Sequence, residues 1–239
     1  MTHVRTTVTA AGATPWSGDA TANLGFTQAT AGNLLIVAIG LLSNRTVTTP
    51  SGYTASANNQ AQAAVFENTQ TNFFWKIADG SETSVDVTLS STSGGIGFLA
   101  VLEYSGIDAG DAFEGSGTPS VTGATSGTVT AAGPSNLVIA AFGDGSADAN
   151  DPGAESLWTA RVDQNRYVVA DLLDTSGSHA HTATGTSVSG ASIIFAFNGT
   201  SGDTVIEMPV GAVAVTGYVS AASAIGPSAN DALIVIRQA

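Results

Sequence analysis

Two apolar runs, 103 residues apart, limit what this chain can fold into more than any other feature. The first is Gly32 to Leu42, GNLLIVAIGLL, and the second is Ser135 to Gly145, SNLVIAAFGDG. Within them Asn33-Leu34-Leu35-Ile36-Val37-Ala38 aligns with Asn136-Leu137-Val138-Ile139-Ala140-Ala141. A helix needs about 20 apolar residues to cross a bilayer, and Leu34–Leu42 supplies about half of that. A short unbroken apolar run bounded by turn residues reads instead as a strand buried on both faces. Leu34–Ile39 and Phe98–Leu102 are the clearest cases.

The rest of the chain supports sheet rather than helix. Thr83–Ser91, TSVDVTLSS, and His179–Val188, HAHTATGTSV, alternate with period 2, and Gly, Asn, Asp and Pro punctuate at short intervals. That pattern predicts an all-β sandwich. Strands are expected near 4–10, 34–42, 63–67, 72–78, 83–89 and 96–104, and again near 128–131, 137–142, 158–162, 167–173, 178–184 and 192–198. The two sets run in the same order. Trp75–Gly106 and Ala170–Gly202 each give strand, Gly-Ser turn, alternating strand, small-residue turn and apolar strand. The expected fold is therefore all-β, with two tandem jelly-roll-like sandwich units, 1–108 and 109–202, joined by the low-complexity stretch Gly110–Gly127. Residues 203–239 form a β-rich C-terminal extension that either completes the second unit or pairs with a neighbouring subunit.

Charge narrows the partners. Of 239 residues only 6 are Lys or Arg against 19 Asp or Glu, a formal net charge of −13. Binding nucleic acid through phosphates needs clustered cations, and attraction to anionic lipid needs the same. Neither nucleic acid nor membrane is an expected partner. There is no cysteine, so disulfide, iron–sulfur and thiolate chemistry are absent. Met1–Trp16 lacks the apolar core of a signal peptide, and a soluble protein is expected.

An ordered series of segments resembles a known family. Gly32-Asn33-Leu34-Leu35-Ile36-Val37-Ala38 is followed by Pro50-Ser51-Gly52-Tyr53-Thr54, then Lys76-Ile77-Ala78-Asp79-Gly80-Ser81-Glu82, then Leu102-Glu103-Tyr104-Ser105-Gly106-Ile107-Asp108. The series resembles modules of tailed-phage virion proteins and their prophage relatives. Met208 to Tyr218, MPVGAVAVTGY, is similar to a tail motif of phage structural proteins. The resemblance covers most of the first unit and part of the C-terminal piece. It implies a non-enzymatic structural protein located in the virion, a capsid decoration protein or a head- or tail-fibre component. The implied partners are capsid or other virion proteins and further copies of the chain, with Met1–Ala11 and 209–239 as the expected assembly surfaces. No catalytic residue comes with it.

Four constellations could carry chemistry. Asp144, Ser146, Asp148, Asn150 and Glu155 fall at positions 1, 3, 5, 7 and 12 of a calcium loop, where hard oxygens alternate. Ala149 replaces the turn glycine of that loop and no flanking helix is expected, so a solvated acidic rim is the competing reading. No other cofactor is expected. His179 and His181 lie two apart on an expected strand, a spacing that could begin a zinc site. Trp16 and Trp158 border loops and could stack on sugars, which gives the alternative function: a carbohydrate-binding module of a fibre that touches host-surface glycan. Among the acids, Glu103 stands alone in an apolar context, between Leu102 and Tyr104. An edge or corner hydrogen-bond acceptor is its expected role. No G-x-S-x-G elbow is present, and no enzyme is expected.

Overall fold

The computed structural model describes residues 1–9, 15–16, 20–42, 44–63, 68–91, 97–145, 152–164, 166–185 and 190–200, together with the backbone of three short strands between 204 and 236. The described residues are all-β: strands joined by turns, with no helix among them and hence none long and apolar enough to cross a membrane.

The strands are β1 (Thr2–Val8), β2 (Thr21–Gly25), β3 (Leu34–Leu42), β4 (Gln60–Gln62), β5 (Thr69–Ile77), β6 (Ser84–Thr88) and β7 (Gly97–Ser105) in the first half. The second half holds β8 (Phe113–Ser116), β9 (Val129–Asp144), β10 (Thr159–Gln164), β11 (Tyr167–His179) and β12 (Gly190–Phe197). Residues Met1–Gly199 form one compact unit and Thr200–Ala239 another. In the second unit β13 (Thr204–Ile206), β15 (Ile234–Ile236) and β14 (Ala222–Ala224) make a three-stranded antiparallel sheet with β15 central. The motif Met208–Tyr218 lies outside the described residues.

Each half contributes one five-stranded antiparallel sheet, ordered β1-β7-β3-β5-β4 in the first and β8-β12-β9-β11-β10 in the second. The two orders are the same, strand for strand. The registers agree as well: Ile36 lies between Trp75 and Leu102, and Ile139 lies between Asp171 and Phe195. The 103-residue offset read from the apolar runs thus relates the central strands β3 and β9. A β-bulge recurs at the same place on each first strand, around Val4 in β1 and Glu114 in β8.

The inner faces of the two sheets pack on each other. One core takes Leu34, Ile36, Phe73, Phe98 and Leu102 from the first sheet, and Leu137, Ile139, Val169, Ile193 and Phe195 from the second. The expected division at 108/109 is therefore where the chain changes sheet, and the two sheets share this core. Equivalent contacts swap across the interface. Phe98 meets Tyr167 edge-on at 5.2 Å, and at the matching place Thr71 Oγ1 approaches the Ala191 carbonyl. The arrangement is that of a two-fold dimer interface built within one chain.

The outer faces are covered too. In the first half β2 pairs with β6, and this small sheet closes a second core of Leu35, Val37, Ile39, Phe74, Val85, Val87 and Trp16. In the second half the cover is a set of isolated bridges, Thr125 with Thr182 and Gly153 with Thr184, over Val138, Ala140, Phe142 and Ile194. This four-layer build is why β3, β7 and β12 are buried along nearly their whole length, as their unbroken apolar sequences predict. The stretch 110–127, expected as a plain connection, instead carries β8 and part of the second cover. Its Gly/Ser content hid a four-residue edge strand.

Close packing fixes glycine at the strand ends. A Cβ on Gly40 would fall 2.5 Å from the rings of Phe98 and Tyr167, and one on Gly143 2.6 Å from Thr69. Across the ladder, Gly97 faces the Gly40 carbonyl and Gly190 the Gly143 carbonyl, each too close for a side chain. Both halves carry this glycine pair at equivalent positions.

Candidate functional site

The segments that carry the phage-protein resemblance meet at one corner of the first half. Pro50–Tyr53 closes a turn in which the Tyr53 N–H donates to the Pro50 carbonyl, and Gly52 has φ +78°. That left-handed conformation suits the third position of a type II turn. The next residue, Thr54, pairs with Trp75. This sets the Tyr53 ring beneath the Lys76 ammonium, 5.8 Å from ring centre to nitrogen. Lys76, the chain's single lysine, forms an ion pair with Glu82. The Glu82 carboxylate also accepts the backbone N–H groups of Asp79 and Gly80 at 3.0 and 3.1 Å. Partial burial pushes the Glu82 pKa up, but Lys76 and these donors outweigh it and bring it down to about 2. Burial, with help from Glu82, raises the Tyr53 hydroxyl well above the usual phenol range.

Glu103 occupies the next position around this corner. Its carboxylate accepts the Thr30 N–H at 2.9 Å and the Asn33 side-chain amide at 2.6 Å, and Arg5 pairs with its second oxygen. Burial raises its pKa, while Thr30, Asn33 and Arg5 together lower it below the ordinary carboxylate value. The acid in an apolar context is thus a hydrogen-bond acceptor that ties β1, β3 and β7 together. In the second half, Asn136 is held in the same way by a carboxylate from a different strand, Glu114 of β8, which also accepts the Ala132 N–H.

A second polar group lies inside the shared core, at its β1–β10 edge. Tyr104 donates its hydroxyl to Asp171 Oδ2 at 2.9 Å, and Arg161 Nε donates to the same oxygen at 2.8 Å. Tyr104 and Asp171 are buried, and Asp171 Oδ1 has no hydrogen-bond partner among the described residues. Burial and then the Asp171 charge push the Tyr104 pKa far up. The His3 ring meets Tyr104 edge-on at 5.3 Å and shares a hydrogen bond with Thr6. Burial and Arg161 lower the His3 pKa, and Asp171 only partly opposes them. No pattern along the sequence pairs Tyr104 with Asp171, because they come from different halves.

The remaining expected site residues are placed as follows. Trp16 is 1% exposed and donates its indole N–H to the Val87 carbonyl, and Trp158 is 8% exposed against Ala183 and His181. Both expected sugar-stacking indoles are core residues, and neither offers a face to a ligand. Of the calcium-loop residues, Ser146, Asp148 and Asn150 lie outside the described residues. Asp144 ends β9 in a fully buried position, and Glu155 accepts the Thr182 N–H at 3.1 Å. His179 ends β11 and bonds Thr175 and the Ser176 carbonyl, while His181 lies beyond the strand, buried against Trp158. They do not share a strand face as the sequence suggested. Among the described residues no group of three or more His, Asp or Glu side chains could hold a metal ion.

Comparison with known proteins adds no relative: no family model, no curated protein and no solved structure matches the chain.

Proposed function

We propose that this chain is a non-enzymatic structural protein of a tailed-phage virion, a capsid decoration protein or a head- or tail-fibre component, which works through subunit–subunit contacts. The observation that carries the reading is the corner where Asn33, Tyr53, Lys76, Glu82 and Glu103 converge. The residues that resemble virion modules hold turns and strand ends through ion pairs and backbone hydrogen bonds. A motif of this kind serves a scaffold rather than a reaction. The repeated strand order supports reading each half as a jelly-roll-like unit, fused to its twin through a shared core. The expected partners are the capsid lattice or sister subunits, with residues 209–239 as an assembly surface. The carbohydrate-binding alternative is weakened by the burial of Trp16 and Trp158.

The test is a cryo-EM map of native particles, together with saturable binding of the purified protein to particles that lack it. Density that fits the paired sheets, and saturation at a fixed ratio to capsid or tail subunits, are the expected results. Particles without such density and without saturable binding would overturn the proposal. A chain truncated after residue 208 should fold and fail to assemble.

A further inference from the structure

The two edges of the shared core are built from equivalent positions and opposite chemistry. By strand register, His3, Tyr104 and Asp171 correspond to Phe113, Phe197 and Trp75. At the second edge those three are all aromatic: Trp75 stacks on Phe113 at 5.8 Å and meets Phe197 edge-on at 5.7 Å, and Phe113 meets Phe197 at 5.7 Å. That edge is also tied by Asn58 and Ser116. Packing two such sheets therefore does not require charge. Apolar groups of similar volume serve as well as or better than a buried ion pair, so the polar edge is not explained by stability.

We propose that the polar edge is an acid-sensitive latch on the N-terminal strand: protonation of His3 expels its ring from its half-buried seat against Tyr104 and releases β1 from β7, while the aromatic edge keeps the two sheets together. The groups facing His3 decide the direction. Tyr104 of β7 presents a ring that loses its edge contact when His3 moves. Arg161 of β10 is already a cation with its Nε committed to Asp171, and Asp171 of β11 is shared between Arg161 and Tyr104. A second cation at His3 enters a half-buried site beside the Arg161 guanidinium, where the Asp171 carboxylate already accepts from Arg161 and Tyr104 through Oδ2. On the opposite face of β1, Arg5 is bound to Glu103, and at the strand's start the Met1 amine is bound to Asp174 of β11. These hold β1 at neutral pH and do not compensate a charge on His3. The lowered pKa of His3 agrees: the neutral ring belongs to the closed state, so its contribution is present above about pH 6.5 and fades as the pH falls.

Hydrogen–deuterium exchange on the full chain, expressed as protection factors to remove the intrinsic pH effect, tests the latch. Between about pH 7.5 and about pH 4.5, protection of the β1 amides bonded to β7 should fall about tenfold or more, while the equivalent β8 amides bonded to β12 change little. His3→Phe, which copies Phe113, should abolish the difference, and His3→Gln, which keeps an uncharged hydrogen-bonding group, should do the same. The imidazole resonances of His3 should titrate in the same window. The proposal is overturned if β1 and β8 lose protection together, if β1 keeps it throughout, or if either variant retains the wild-type response.

Discussion

Tyr104 and Asp171, 67 residues apart and in different halves of the chain, share a 2.9 Å hydrogen bond inside the common core. The matching positions across the pseudo-two-fold axis hold Phe197 and Trp75 in edge-on contact. One interface thus carries two solutions to the same packing problem, and the difference between them can be measured.

Tyr104→Phe removes one donor from a buried carboxylate and leaves its volume almost unchanged. Stability should fall by about 1–3 kcal/mol, as measured by urea unfolding. Asp171→Ala should cost more, about 3–5 kcal/mol, because Arg161 and Tyr104 both lose their acceptor. If the three residues act as one network, a double-mutant cycle between Tyr104 and Asp171 gives a clear coupling energy.

The glycine pairs should tolerate no side chain. Gly97→Ala and Gly190→Ala each drive a Cβ into the carbonyl of the strand alongside. Soluble yield and unfolding midpoint should both fall in each variant, with a loss of at least about 1–3 kcal/mol. Gly123→Ala, which meets nothing within 4 Å, is the matched control and should be neutral.

His181 gives a pH dependence with a definite sign. Burial lowers its pKa to about 4, with Glu155 opposing weakly, so the folded state holds the ring neutral. The unfolded chain takes up a proton near pH 6.5, the ordinary histidine value. Stability should therefore be full above about pH 6.5 and decline as the pH falls toward 4, by a few kcal/mol in all. Unfolding midpoints taken across that range should show the slope in the wild type and a flatter line in His181→Leu.

Lys76 can be followed alone because it is the chain's single lysine. Paired with Glu82 and over the Tyr53 ring, it should react slowly with an amine-directed acylating reagent. Glu82→Ala should speed the reaction severalfold, read by peptide mapping that separates Lys76 from the Met1 amine, and should also loosen the Asp79–Glu82 turn, whose N–H groups lose their acceptor.

Trp16→Ala and Trp158→Ala test the corrected reading of the indoles. Each should destabilise the fold by about 3–5 kcal/mol, as truncation of a core aromatic does. A folded, fully stable variant of either would return that tryptophan to the surface and revive the sugar-stacking reading.

Much of the architecture was legible in the sequence. Unbroken apolar runs announce strands covered on both sides, and the 103-residue offset between Asn33 and Asn136 survives in the register of β3 and β9. Strand limits were less legible where local composition misleads. The expected strand at 63–67 lies outside the described residues but for Ala63, the short strand Gln60–Gln62 before it was not foreseen, and β9 runs on through Gly133 and Pro134, where two strands were expected.

By itself, then, the sequence determined the β class, the duplicated order of strands and the burial of their central residues, because periodicity and apolar runs are properties of neighbours along the chain. Only the tertiary structure decided that the halves share one core, that Trp16 and Trp158 face inward, and that Tyr104, Asp171, Arg161 and His3 meet. Those contacts join residues from separate strands and sheets, and no local pattern encodes which faces of two sheets will oppose each other.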